Sequence, residues 1–169
     1  MLHDILTKPG YLHLLLNHLP IIGLALGALA LGVALALRSR PAQITALVVV
    51  FTAAASAWPV LASGQQAYKP IRGLVDDAGS DWLDLHMERA EKTIYAFYLL
   101  AAVALTGLVA PRRWPRTAGP LAVASLALTL LCLGVGGYIA EAGGRIRHPE
   151  FRSSEPPAPS ISEPHHHEP

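Results

Sequence analysis

Charge is scarce in this sequence: Asp, Glu, Lys and Arg make up only 15% of its 169 residues. A water-soluble domain of that length needs far more charged surface, so an ordinary soluble globule is excluded. The charges present nearly cancel, to a formal +1, leaving no basic surface for nucleic acid. A single cysteine, Cys132, lies in an apolar run; no disulfide framework exists and the redox compartment stays unread. No acidic residue sits at mid-depth of the apolar stretches and none is visibly interrupted, which argues against an ion path. No nucleophile stands at a recognisable spacing from a base, so independent catalysis is not expected. The first apolar stretch is too long for a signal-peptide core and has no small-residue cleavage site after it. Insertion is therefore expected to rest on the first helix itself.

What the chain has is apolar residues, 52% of the total, gathered in long blocks. A membrane-crossing helix needs roughly 20 of them. Four stretches qualify, at about 11–37, 42–62, 93–110 and 117–140. Pro41, Pro111 and Pro115 mark short connections, which make consecutive helices antiparallel neighbours. The expected fold is all-α: an integral membrane four-helix up-down bundle over residues 1–150. A disordered arm rich in Pro, Ser, Glu and His is expected over 151–169. Gly23 and Gly27 form a small-xxx-small pair, and Gly134, Gly136 and Gly137 thin the fourth helix in the same way, so backbones or a flat cofactor can approach.

Two connections carry basic residues without acids: Arg38 and Arg40 in one, Arg112, Arg113 and Arg116 in the other. Short basic loops stay in the cytoplasm, which predicts a bacterial inner membrane protein with both termini periplasmic. Residues 65–92 read as a polar connection, with a turn near Asp76, Asp77 and Gly79-Ser80. Asp81 is expected to cap a helix that starts outside the bilayer and runs inward. Trp58, Trp82 and Trp114, with Tyr68 and Tyr95, read as interfacial belt residues.

On this topology the histidines segregate. His13 and His18 open the first helix, His86 precedes the apolar part of the third, and His148 follows that of the fourth. Odd helices begin and even helices end at one face, so all four share it, as do His3 and His165, His166 and His167 of the tail. His18 lies roughly 10 Å into the helix, and His13, five residues earlier, points about 140° away from it. Neutral imidazole is a good axial ligand for haem iron and a good ligand for Cu, Zn or Fe. Facing helices with small residues beside the ligands form a cofactor pocket. Gly64 and Gly143-Gly144 leave room at that level, while Arg72, Arg89, Arg145 and Arg147 are candidates for haem propionates. The expected first pairing is His18 with His86, a deep ligand facing one on another helix.

Structural readings stand beside these. Single histidines at helix ends often cap carbonyls or sit among headgroups. Glu88 and Glu91 near His86 fit a solvated face, and Glu141 fits an ion pair with Arg89 or Lys92 at the bundle mouth. The tail run His165-His166-His167 between acids is a candidate weak divalent-metal site.

The stretch His13-Leu-Leu-Leu-Asn-His18-Leu-Pro20 resembles the opening motif, H-P-x-x-x-H-F-P, of an uncharacterised bacterial four-helix family of predicted membrane proteins. Gly64 with Ala67, His86, and Gly143-Gly144-Arg-Ile-Arg-His148 are similar to later segments of that family, in order, over residues 11 to 150. Leu14 departs from the usual Pro, and Pro149 stands where Gly is common. The resemblance implies the fold and the four histidine positions; relatives are often joined to or near haem c domains and oxidoreductases, which implies electron transfer.

The leading expectation is a cytochrome b-like electron-transfer subunit with one haem b, or two, near the periplasmic face. His13, His18, His86 and His148 are its candidate ligands, with Gly64, Gly144, Arg89 and Arg145 around it. Its partners would be lipid, other redox subunits, a c-type cytochrome or a quinone. Two rivals stay open: a cofactor-free anchor or scaffold subunit of a larger complex, and a protein handling Cu, Zn or Fe.

Overall fold

A computed structural model of the protein describes residues 8–152, and among them every regular element is helical. The first span comprises α1 (Pro9–Leu16) and α2 (His18–Ala36), the second α3 (Arg40–Ala55) and α4 (Ala57–Arg72). The third is α5 (Asp77–Val109) and the fourth α6 (Ala118–Arg147). Short 3-10 turns at Ala110–Arg112 and Pro115–Thr117 join the last two spans, and another follows at Pro149–Phe151. The shortest span has 28 residues, about 42 Å of helix at 1.5 Å per residue, against a hydrocarbon core of about 30 Å. All four are long and apolar enough to cross a membrane, which points to a multi-pass membrane protein. Residues 1–7 and 153–169 lie outside the described part, and with them His3, most of the expected arm and the His165, His166 and His167 site.

The helices outrun the apolar stretches. The expected polar connection at 65–92 is mostly helix, and the true link is only residues 73–76. Hydropathy marks the part of a helix that apolar surroundings favour; the polar extensions are held by partners. Gln65 donates to Glu91 at 2.9 Å, and the Tyr68 hydroxyl and Arg72 guanidinium both donate to Asp84. The cap is Asp76, not Asp81: its carboxylate accepts from the Gly79 N–H at 2.9 Å, one of the orphan donors of a helix start.

Two spans are interrupted, contrary to the unbroken stretches expected. The first breaks at Asn17 and the second at Ser56, each three residues before a proline, Pro20 and Pro59. Proline has no N–H to give the carbonyl four residues back and clashes with it, so helical pairing fails one turn earlier.

Adjacent spans pack in a closed ring: first on second, second on third, third on fourth, and α2 on α6. The core holds Leu24, Leu31, Leu47, Val50, Leu100, Thr129 and Cys132. Gly23 and Gly27 do let helices approach: a Cβ on either would stand 2.7 Å from Ala53 Cβ or Val50 Cγ2. On the fourth span the expectation holds only at Gly136, where a Cβ would stand 3.9 Å from Ile21 Cγ1; Gly134 and Gly137 have nothing within 4 Å. Outward leucines such as Leu26, Leu29 and Leu130 are more than half exposed, as a lipid-facing surface requires. Trp58, Trp114 and Tyr95 lie on that outer surface, but Trp82 is buried and its ring carries the Arg145 guanidinium at 4.6 Å.

Candidate functional site

At the end of the bundle where α1 and α5 begin and α4 and α6 finish, the helices leave an apolar cavity of about 910 Å³. It receives side chains from all four spans. His13 comes from the second turn of α1 and His86 from the third turn of α5. Their ring centres lie 6.3 Å apart with planes at 83°.

Each ring is fixed in the same way by a neighbouring helix. His13 Nδ1 is 3.0 Å from the Val60 carbonyl, and His86 Nδ1 is 3.0 Å from the Ile139 carbonyl. Carbonyls only accept, so each Nδ1 carries the proton, and in the neutral ring Nε2 keeps its lone pair. Four residues beyond each carbonyl, one helical turn, stands a glycine. A Cβ on Gly64 would lie 3.0 Å from the His13 ring, and one on Gly143 would lie 3.0 Å from the His86 ring. The imidazoles therefore pack closely against bare backbone. Ser63 adds a longer contact of 3.4 Å to His13 Nδ1. A helix hairpin bearing His, carbonyl and Gly thus occurs twice, once in the first pair of spans and once in the second.

The pairing is not the expected one. His13, not His18, meets His86; His18 is exposed and its Nδ1 lies 2.8 Å from Leu14 O, across the helix break in its own span. The break before Pro20 is where the wheel of a straight helix stops applying. His148 lies at the cavity mouth, half-exposed, bonded to Glu150 at 2.9 Å and stacked on Phe151 at 5.1 Å. Gly144 lines the cavity with open space above it. Arg89 and Arg145 do not line it. Both grip Glu141, at 2.6 and 2.9 Å, and Arg89 also lies 3.8 Å over the Tyr138 ring. That ion pair at the bundle mouth was expected for Arg89, while Lys92 turns instead to Glu88.

Sequence reasoning missed the two carbonyls, Lys8 and Asn17. Asn17 lines the cavity at the helix break, and its Oδ1 is buried without a hydrogen-bond partner among the described residues. Its place next to the conspicuous His18 was the available signal.

The donor set discriminates among metals. Among the described residues no three or more of His, Cys, Asp and Glu gather around one point, whereas protein-only Zn or Cu sites take three or four such ligands. Two imidazoles are what an ion needs when a tetrapyrrole supplies four nitrogens of its own. With metal–nitrogen bonds of about 2.0–2.1 Å, imidazoles on opposite sides of one ion have ring centres about 6 Å apart; on adjacent tetrahedral positions they stand about 5 Å apart. The observed 6.3 Å is compatible with the opposed spacing and is equally that of a plain edge-to-face ring contact. A search of family models, characterised proteins and solved structures finds no match to this chain.

Proposed function

We propose that this protein is an electron-relay subunit of a bacterial membrane oxidoreductase, holding one b-type haem between His13 and His86. The observation that carries the reading is two Nδ1-anchored imidazoles at 6.3 Å, facing one large apolar cavity. Bound there, haem would supply a one-electron couple. The chain's own residues do the rest. Val60 and Ile139 fix the tautomers and orient both rings, an outer-shell role that also raises ligand basicity. Gly64 and Gly143 give the rings room, and Leu24, Ile94, Phe97 and Leu133 exclude water. A single pair of inward rings argues for one haem rather than two, and the two-ligand set disfavours bare Cu, Zn or Fe.

The cofactor end is opposite the Arg38/Arg40 and Arg112/Arg113/Arg116 turns. With those turns in the cytoplasm, the site and both termini face the periplasm of an inner membrane. Electrons would pass between a periplasmic donor such as a c-type cytochrome and a quinone or membrane enzyme. Visible spectra of detergent-purified protein, oxidised and then reduced with dithionite, test this directly. A Soret band with sharp reduced bands is expected, its low-spin form lost in His13→Ala and His86→Ala and kept in His18→Ala. Protein made in haem-replete cells without any Soret absorbance would return the chain to a cofactor-free anchor.

A further inference from the structure

We propose that Lys8 and Arg147 form the acid-binding mouth of the cavity and hold the two carboxylates of the porphyrin; this rests on the haem reading above. The lining is unequal in charge. It contains Lys8 and Arg147 and no Asp or Glu. Its inner part is made of Leu24, Ile94, Phe97 and Cys132, and both cations stand at the opposite, outer end. Such a cavity fits an amphiphile with an apolar body and an anionic edge.

Depth selects the amphiphile. Lys8 precedes His13 by five residues, about 7–8 Å of helix, and Arg147 follows Gly143, the seat of the His86 ring, by four, about 6 Å. The cations thus lie above the imidazole pair by roughly the distance from a porphyrin's centre to its edge carboxylates. Of the four arginines expected to serve propionates, three are committed elsewhere. Arg72 is bonded to Asp84 and Tyr68, and Arg89 and Arg145 are bonded to Glu141. Arg147 alone of the four lines the cavity. Lys8, also in the lining, has its ammonium 5.8 Å from the Tyr11 ring, on a stem long enough to reach inward.

Haemin and haemin dimethyl ester, in which both carboxylates are blocked, separate the possibilities. Both are titrated into full-length protein produced without haem, following Soret absorbance. Wild type is expected to bind the free acid about tenfold more tightly than the ester, as one or two charge-assisted hydrogen bonds warrant. The double variant Lys8→Gln/Arg147→Gln should lose that preference yet bind the ester as wild type does, which certifies its fold. Unchanged preference in the double variant overturns the carboxylate assignment and leaves the haem reading standing. Failure of wild type to take up either compound overturns both.

Discussion

Glycine is the residue on which the site turns. At Gly64 and Gly143 the nearest atoms to an added Cβ belong to the imidazole rings themselves, at 3.0 Å. Real Cβ contacts are rarely that short, so any larger side chain must push the ring away from its carbonyl. Gly64→Leu and Gly143→Leu should each abolish or strongly weaken the Soret signal while the helical circular dichroism persists. Gly134→Leu, where nothing lies within 4 Å, should leave the spectrum unchanged. His18 shows how far a single residue can be read from sequence. Its depth and spacing were legible, but α2 is apolar all round, so no periodicity distinguished an inward face from a lipid face. The two stand on either side of the break at Asn17, and it is His13 that turns inward. The anchoring carbonyls of Val60 and Ile139 were illegible for a different reason: every residue has one, and only the fold selects two.

Among elements, close approach of the first two spans depends on Gly23 and Gly27 lying against Ala53 and Val50. With lipid as apolar as any side chain, helices associate through such packing rather than through hydrophobic exclusion. Gly27→Leu must displace the Val50 side chain and crowd its backbone N, 3.5 Å from the added Cβ. Overpacking of this kind costs about 1–3 kcal/mol, readable as a lowered thermal transition in detergent. Gly32→Leu, with open space around it, is the control and should not shift the transition. The small-xxx-small spacing made this contact legible, whereas of the similar glycines of α6 only Gly136 meets a neighbour, Ile21, and Gly134 and Gly137 meet none. Spacing states that approach is permitted; a partner helix decides whether it occurs.

A second joint between elements is electrostatic. Arg152 bridges the end of the fourth span to the start of the third: it donates twice to Asp76, at 2.7 and 3.0 Å, and to the Arg145 and Ile146 carbonyls, both at 2.7 Å. It thereby satisfies carbonyls that a helix end leaves orphaned. The Arg152 bonds hold the Asp76 carboxyl below its ordinary range, with the Gly79 N–H adding to the effect. A carboxylate depressed in the folded state contributes stability above its unfolded pKa, and that contribution disappears as pH falls through the folded value. Wild-type thermal stability should therefore decline below the ordinary Asp range, and Asp76→Asn should flatten that part of the profile. Equal acid slopes for both proteins would remove the joint from the account. Because Asp76 is exposed, the expected difference is small and salt-sensitive.

At the scale of the molecule, the two helix pairs present equivalent clamps. His13, Val60 and Gly64 in the first correspond to His86, Ile139 and Gly143 in the second, with the same Nδ1-to-carbonyl distance and the same ring-to-glycine gap. The four-helix layout was legible from apolar blocks and prolines, and the common face of the histidines from their positions along antiparallel rods. The equivalence was not, because the segments around the two clamps share little beyond the His and Gly. Equivalence has a consequence for coordination. If both rings ligate one iron from opposite sides, removing either should produce the same defect: one vacant axial position, and a shift from low-spin to high-spin absorption. His13→Gly and His86→Gly should therefore give matching spectra, and added imidazole should restore the low-spin bands in both, by filling the space the side chain vacated. A ligand set built on one histidine alone would respond in one variant and not in the other. That asymmetry would break the pairing on which the functional reading stands.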